Sequence, residues 1–318
     1  MRILVLLLLL FSAGCGTAAV PSGESGGLWQ DAAIFTPVGR TIAAAQSRVL
    51  VEMYEFGRRD LALALVAARA RGADVRVVLD PTVPETLVTG RQLLAAGLGV
   101  RFYPVDDHAL QIDHVKLLLA DDQAVVGGMN WGATSYLNHD YALLLRTSAD
   151  LLRLVGIFEQ DWALAGGNPT PLPAEAGRIV QTAPGSEIRR LLEATLAVAR
   201  FRIEAEVFDL TDPDLILLLQ AAQRRGVRVR ILLDPAQDVN RPTYAVLRRG
   251  STEVRWYRPP PGAKLHAKAV LADGRLVVGS ANWSRHGLDV NHELDVATED
   301  SRAVAAYAKR FESDWAAA

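Results

Sequence analysis

The 318-residue sequence has a single cysteine, Cys15. One thiol excludes an internal disulfide framework and any zinc site built on cysteine. Charge of one sign is not in excess: 34 Lys and Arg against 36 Asp and Glu leave a net −2. A generic basic face for polyphosphate or nucleic acid is therefore not indicated. Lysine is scarce, occurring only as Lys116, Lys264, Lys268 and Lys309, and aromatic residues make up 7%. The apolar run over residues 3–11 would form about 14 Å of helix, half of what a hydrocarbon core needs, so it does not span a membrane. What is present is a chain 50% hydrophobic and 22% charged. That balance excludes a disordered or collagen-like protein, and the length suits two domains of about 150 residues each.

Arg2, the apolar run and the small residues Ser12, Ala13 and Gly14 describe a secretory signal over residues 1–14. Cys15 directly after them resembles the lipobox of bacterial lipoproteins, with Ser12 where an aliphatic residue is usual. The resemblance implies cleavage before Cys15, lipidation of its thiol, and a flexible tether over residues 15–27. The expected location is the bacterial cell envelope, exported and anchored to a membrane through Cys15.

The rest of the chain is written twice. Arg76-Val77-Val78-Leu79-Asp80-Pro81 recurs as Arg230-Ile231-Leu232-Leu233-Asp234-Pro235, and Arg101-Phe102-Tyr103 as Arg255-Trp256-Tyr257. Glu52 and Phe56 match Glu204 and Phe208; Phe158-Glu159-Gln160-Asp161-Trp162 matches Phe311-Glu312-Ser313-Asp314-Trp315. The offset stays between 152 and 154, the mark of a duplicated domain rather than a solenoid. Each copy reads as strand, helix ending in Arg-Gly, then a buried strand, which predicts mixed α/β units. The expected division is domain 1 over 28–165, a Gly/Pro-rich linker over 166–177 and domain 2 over 178–318. The stretches from Pro81 to Gly90 and from Ala236 to Arg248 are expected to be loops that shape a pocket.

The rare residues recur too. His114-Val115-Lys116 matches His266-Ala267-Lys268, followed by Asp121 and Asp273. Then Gly127-Gly128-Met129-Asn130-Trp131 matches Gly279-Ser280-Ala281-Asn282-Trp283, and Asn138-His139-Asp140 matches Asn291-His292-Glu293. On a strand, His-x-Lys sends both side chains to one face. A lysine beside an imidazole suits a phosphate ester: Lys neutralises nonbridging oxygens while His attacks phosphorus or protonates the leaving oxygen. Trp131 and Trp283 read as core, His108 and His286 as surface, and His139 and His292 as packed or supporting.

Paired His-x-Lys-x4-Asp motifs, each followed by Gly-Gly/Ser-x-Asn, resemble the phospholipase D superfamily. The resemblance covers nearly everything from residue 28 onward. It implies two tandem phospholipase D-like domains related by a pseudo-twofold axis, each a mixed β-sheet flanked by helices. It also implies a monomer whose motifs His114, Lys116, Asp121 and His266, Lys268, Asp273 form one active site without metal or cofactor. By the same resemblance His114 is the nucleophile and His266 the acid/base. Lys116, Lys268, Asn130, Asn282, Ser280 and the Gly128 backbone would bind phosphoryl oxygens, while Asp121 and Asp273 would brace the strands. Asp140 and Glu293 would orient the histidines, the shorter Asp140 holding His114. The expected activity is hydrolysis of a phospholipid phosphodiester to phosphatidic acid. Cardiolipin synthase-like transfer, a metal-independent nuclease and a noncatalytic envelope binding protein are the alternatives.

Overall fold

The computed structural model describes residues 27–169, 172, 177–183 and 185–318. The expected signal peptide, Cys15 and all but the last residue of the tether lie outside them, as does part of the expected linker. Among the described residues, no helix is long and apolar enough to cross a membrane.

The first half runs β1 (Leu28–Gln30), α1 (Phe35–Ala44), β2 (Arg48–Met53), α2 (Arg59–Ala70), β3 (Asp74–Leu79), α3 (Pro84–Ala95), β4 (Gly99–Phe102), β5 (Lys116–Ala120), β6 (Gln123–Gly127), β7 (Tyr141–Leu145) and α4 (Ser148–Leu164). The second repeats it: β8 (Ile179–Thr182), α5 (Glu187–Val198), β9 (Arg202–Val207), α6 (Pro213–Arg224), β10 (Arg228–Leu233), α7 (Asn240–Arg249), β11 (Glu253–Trp256), β12 (Lys268–Ala272), β13 (Arg275–Gly279), β14 (Glu293–Thr298) and α8 (Ser301–Ala317). The sheet orders β1-β7-β6-β5-β2-β3-β4 and β8-β14-β13-β12-β9-β10-β11 are the same order of equivalent strands. In each, three parallel strands follow the strand–helix–strand units, and antiparallel hairpins complete the sheet. The duplicated, helix-flanked mixed sheet expected from the sequence is thus the fold.

Strand alternation assigns the two faces of each sheet. Val115, Leu117 and Leu119 join a core shared by both halves with Ala267, Ala269, Leu271, Phe158 and Phe311. Leu118 and Ala120 instead pack with Ile42 and Leu65 beneath α1 and α2, and Val270 and Ala272 do the same beneath α5 and α6. Because His114 and Lys116 share the parity of Leu118, their side chains leave the inter-half core. Helices α2 and α6 end at Gly72 (φ 99°) and Gly226 (φ 90°), left-handed positions that the repeated Arg-Gly anticipates.

Two expectations need correction. The stretches after Pro81 and Pro235 contain α3 and α7 as well as loops. Their Thr and Asn residues favour turns in isolation, but here they grip strand ends. Thr86 Oγ1 accepts from Phe56 N at 2.9 Å and Thr89 donates to Phe56 O at 2.6 Å. Asn240 and Thr243 do the same to Leu210. That equivalence also corrects the repeat register: Phe56 corresponds to Leu210, Tyr54 to Phe208 and Glu52 to Glu206, while Glu204 pairs with Arg230. A slip of two residues keeps a strand's faces and so leaves no trace in its pattern.

Asp121 and Asp273 close two-residue hairpins at the strand end far from the histidines. Asp121 accepts N–H bonds from Gln46, Ser47 and Arg48 at 2.7, 3.1 and 2.9 Å, and Asp273 accepts from Arg200, Phe201 and Arg202 at 2.9, 2.9 and 3.0 Å. They are braces, outside the candidate site. Partial burial pushes both carboxyls up, but the backbone donors outweigh it and hold them below the ordinary 3.8. This contribution to stability is complete above the ordinary carboxylate range and is lost as pH falls through the lowered values. Asp273→Ala is expected to lower unfolding free energy by about 1–2 kcal/mol, discounted for exposure, with turnover per folded molecule unchanged. Urea melts at pH 7 measure it.

Candidate active site

Each motif strand is aimed by the half it belongs to and met by the other half. Asp80, at the end of β3, accepts Asp113 N at 2.8 Å, and Asp234 accepts Leu265 N at 2.7 Å. These fully buried carboxylates fix the backbone just before each histidine. The sequence signal was the repeated Leu-Asp-Pro, to which no role was attached. From the partner half, His292 O accepts His114 N and His139 O accepts His266 N, both at 2.8 Å.

The carboxylates cross between halves. His114 Nδ1 lies 3.0 and 2.9 Å from the two oxygens of Glu293, and His266 Nδ1 lies 2.8 Å from Asp140 Oδ2. The expected Asp140–His114 pairing is therefore wrong, because the pseudo-twofold places the segment before β7 against the second motif. In each pair Nδ1–H donates to the carboxylate, which turns Nε2 towards a substrate.

Ser280 and Gly128 are corrected together. Ser280 is fully buried and its hydroxyl donates to Glu293 Oε2 at 2.5 Å, so it supports the carboxylate instead of meeting phosphate. A Cβ on Gly128 would fall 2.3 Å from Asp140 Oδ1. The missing side chain and the shorter acid are one adjustment: Asp140 occupies the space a serine would need.

Lys116 Nζ donates to His114 O at 2.5 Å, and Lys268 Nζ donates to His266 O. Tyr54 and Phe208 pack against the two imidazoles, with ring centroids 4.8 and 4.9 Å away. Asn130 Nδ2 donates to Glu55 Oε2 at 2.8 Å; the corrected register matches Glu55 to Asp209, an acid repeated in both copies to which the sequence reading gave no role. Among the described residues, Asn130 Oδ1 and Asn282 Oδ1 are buried without a hydrogen-bond partner. Trp131 and Trp283 are core residues, while His108 and His286 are exposed. Grooves of about 700 and 670 Å³ beside α2–α3 and α5–α6 touch no motif residue.

Burial dominates the electrostatics. It lowers His114 well below the ordinary 6.5, helped by Lys116 and Lys268. Burial and Lys268 bring His266 to about 3, although Asp140 raises it and Lys116 lowers it further. Desolvation also lowers Lys116 to about 7 and Lys268 to about 8, and raises Glu293 to about 7. Each lysine acts on the other half's histidine, so the two motifs share one field. Both imidazoles are neutral before an anion enters. A phosphodiester would restore charge to the lysines and favour a protonated histidine.

Two further groups bring three potential metal ligands within 4.8 Å of one another: Glu52, Asp161 and His292, and His139, Glu206 and Asp314. In the second, Arg310 already bonds Asp314 Oδ2, the oxygen facing His139 Nε2, at 2.6 Å, so a guanidinium neutralises a carboxylate that an ion would need.

The model of a family described as cardiolipin synthase, PLD-like domain, matches residues 38–162 and again 192–315. A mitochondrial cardiolipin hydrolase of Homo sapiens is 33% identical over 132 residues, 41% of this chain and 51% of that protein. A probable cardiolipin synthase of Bacillus subtilis is 24% identical over 322 residues, 88% of this chain and 63% of that protein. The chain thus spans about half to two-thirds of the length of these curated relatives. The crystal structure of phosphatidylserine synthase from Haemophilus influenzae superposes with a TM-score of 0.71 at 14% identity, over 92% of this chain and 86% of that one, and shows the same fold. With the paired motifs, the duplicated sheets and two matched domains in hand, the chain belongs to the phospholipase D-like family that includes the cardiolipin synthases.

Proposed function

We propose that the protein is a phosphatidyl transferase, opening a phospholipid phosphodiester through a phosphohistidine and passing the phosphatidyl group to an alcohol. The observation that carries this reading is the crossed pair of carboxylate–histidine contacts inside one field of two lysines. Hydrolysis to phosphatidic acid, the first expectation from sequence, gives way to transfer. The Bacillus relative matching 88% of the chain bears a synthase name, whereas the human hydrolase matches 41%. Burial of both histidines, 4% and 8% exposed, also favours keeping water from the intermediate.

In this reading His114 Nε2 attacks phosphorus, forming the N–P bond as the bond to the leaving alcohol's oxygen breaks. His266 gives that oxygen its proton, then takes one from the incoming alcohol, whose oxygen displaces His114 from phosphorus. Burial and the lysines lower both imidazoles; at His266 alone Asp140 pulls the other way, which is the ground for giving it the acid role and His114 the nucleophile's. Lys116 and Lys268 neutralise the nonbridging oxygens, with Asn130 and Asn282 beside them.

Because kcat/KM reports the free enzyme, it should fall as pH rises through the values of about 7 and 8 at which Lys116 and Lys268 lose their protons. The kcat limb should lie higher, since bound phosphodiester holds the lysines charged. A kcat/KM profile flat up to about pH 9 would contradict this electrostatic role.

The deciding experiment offers the full chain phosphatidylglycerol vesicles and, separately, single-stranded DNA, in EDTA, with all products identified. Cardiolipin and glycerol are expected. Phosphatidic acid alone would return the reading to hydrolysis, and cut DNA with intact lipid would overturn it.

A further inference from the structure

His139 and His292 belong to neither motif, yet each directly precedes a crossed carboxylate. The opposite half's catalytic histidine thus has two ties to one dipeptide. His114 bonds His292 O through its backbone and Glu293 through its ring; His266 bonds His139 O and Asp140 in the same way. Whatever fixes the dipeptide fixes both ties.

The imidazole fixes it. His292 is fully buried, with Nε2 lying 3.0 Å from Asp161 Oδ2 and 3.5 Å from Glu52 Oε1, both in the first half. Its Nδ1 donates to Thr182 O and Ala183 O at 3.0 and 2.7 Å, and the ring stacks on Tyr103 at 4.8 Å and 6°. His139 mirrors it: Nε2 lies 3.3 Å from Asp314 Oδ2 and 3.5 Å from Glu206 Oε1, both in the second half. Its Nδ1 bonds Asp31 at 2.6 Å and its ring stacks on Tyr257 at 5.4 Å and 15°. Burial pulls both imidazoles down, but Glu206 and Asp31 hold His139 at about 9, and Asp161, aided by Glu52, holds His292 well above its ordinary value. Each histidine is therefore an ion-paired peg from one half set into the other.

We propose that His292 and His139 are positioning residues, His292 seating His114 over Glu293 and His139 seating His266 over Asp140. The inference rests on the reading of His114 and His266 as the reacting groups. It adds that the seat of each is set by a residue of the opposite half that touches no substrate.

The test compares full-chain H292Q and H139Q with wild type, using turnover of bis(p-nitrophenyl) phosphate and proton NMR of the imidazole Nδ1–H resonances. Kinetically, each variant should lower kcat by about 10- to 100-fold with KM within about twofold, the cost of a misplaced reacting group. Spectroscopically, H292Q should shift or remove the His114 resonance and spare that of His266, and H139Q the reverse. Loss of both resonances in either variant, or movement of neither, overturns the proposal. So does an unchanged kcat. Where a glutamine variant does not fold, D161N or D314N, which keep shape and remove one charge, is read by the same criteria. A wild type inert towards every phosphodiester would defeat the proposed function, while the half-specific resonances would still decide the seating.

Discussion

His114→Ala and His266→Ala each reduce turnover by at least about 10³-fold, and the two failures differ in kind. On the proposed roles no N–P bond can form without His114, so a brief incubation with phosphate-labelled lipid should leave the protein unlabelled. Without His266 the nucleophile remains seated by Glu293, at 2.9 Å from its nearer oxygen. A substrate with a good leaving group, which needs no acid, then labels His266→Ala but does not release. Retained label on His266→Ala with none on His114→Ala fixes the order of roles. Label on His114→Ala alone would reverse it, and label on neither would remove the covalent mechanism. Both variants should fold, because each exchange shortens a side chain at the edge of a site whose backbone is held independently by Asp80 and Asp234.

The duplicated fold and the motif residues were legible because they rest on types this chain uses sparingly. Two of the four lysines and four of the six histidines fall into two matching sets, which takes a repeat behind them. Strand alternation then foretold that His114 and Lys116 leave by one face. What stayed hidden was which copy touches which. A repeat states that Asp140 and Glu293 are equivalent; it says nothing of the crossing that carries Asp140 to His266. The same silence covers Ser280, whose hydroxyl looked like a phosphate ligand until Glu293 was found at the end of it. Helices α3 and α7 were missed for another reason. Their Thr and Asn residues bond Phe56 and Leu210, just beyond β2 and β9, tertiary contacts that override a local preference for turns.

The crossing has a large consequence for the two orienting acids, which are not interchangeable. Glu293→Gln should cut kcat by about 10²–10⁴-fold, the range seen when the acid that sets a catalytic imidazole's tautomer is neutralised. Its loss falls on His114, so labelled phosphoenzyme should form slowly. Asp140→Asn acts on His266 instead and removes the carboxylate that raises that imidazole. Proton delivery and acceptance then fail, and a substrate with a good leaving group should form labelled protein quickly and release it slowly. Rapid-quench labelling separates the two outcomes. Were the acids to serve the histidines of their own halves, the phenotypes would exchange: Asp140→Asn would slow labelling and Glu293→Gln would slow release. The Glu293 loss should also be partly reproduced by Ser280→Ala, since that hydroxyl holds Oε2 and the Leu294 N–H together. No serine supports Asp140, which itself fills the space beside Gly128, so the first half offers no corresponding variant. The asymmetry between a glutamate held by Ser280 and Asn291 and an aspartate packed against bare backbone thus becomes a kinetic one. On the proposed mechanism, formation of the covalent intermediate should depend on more side chains than its release.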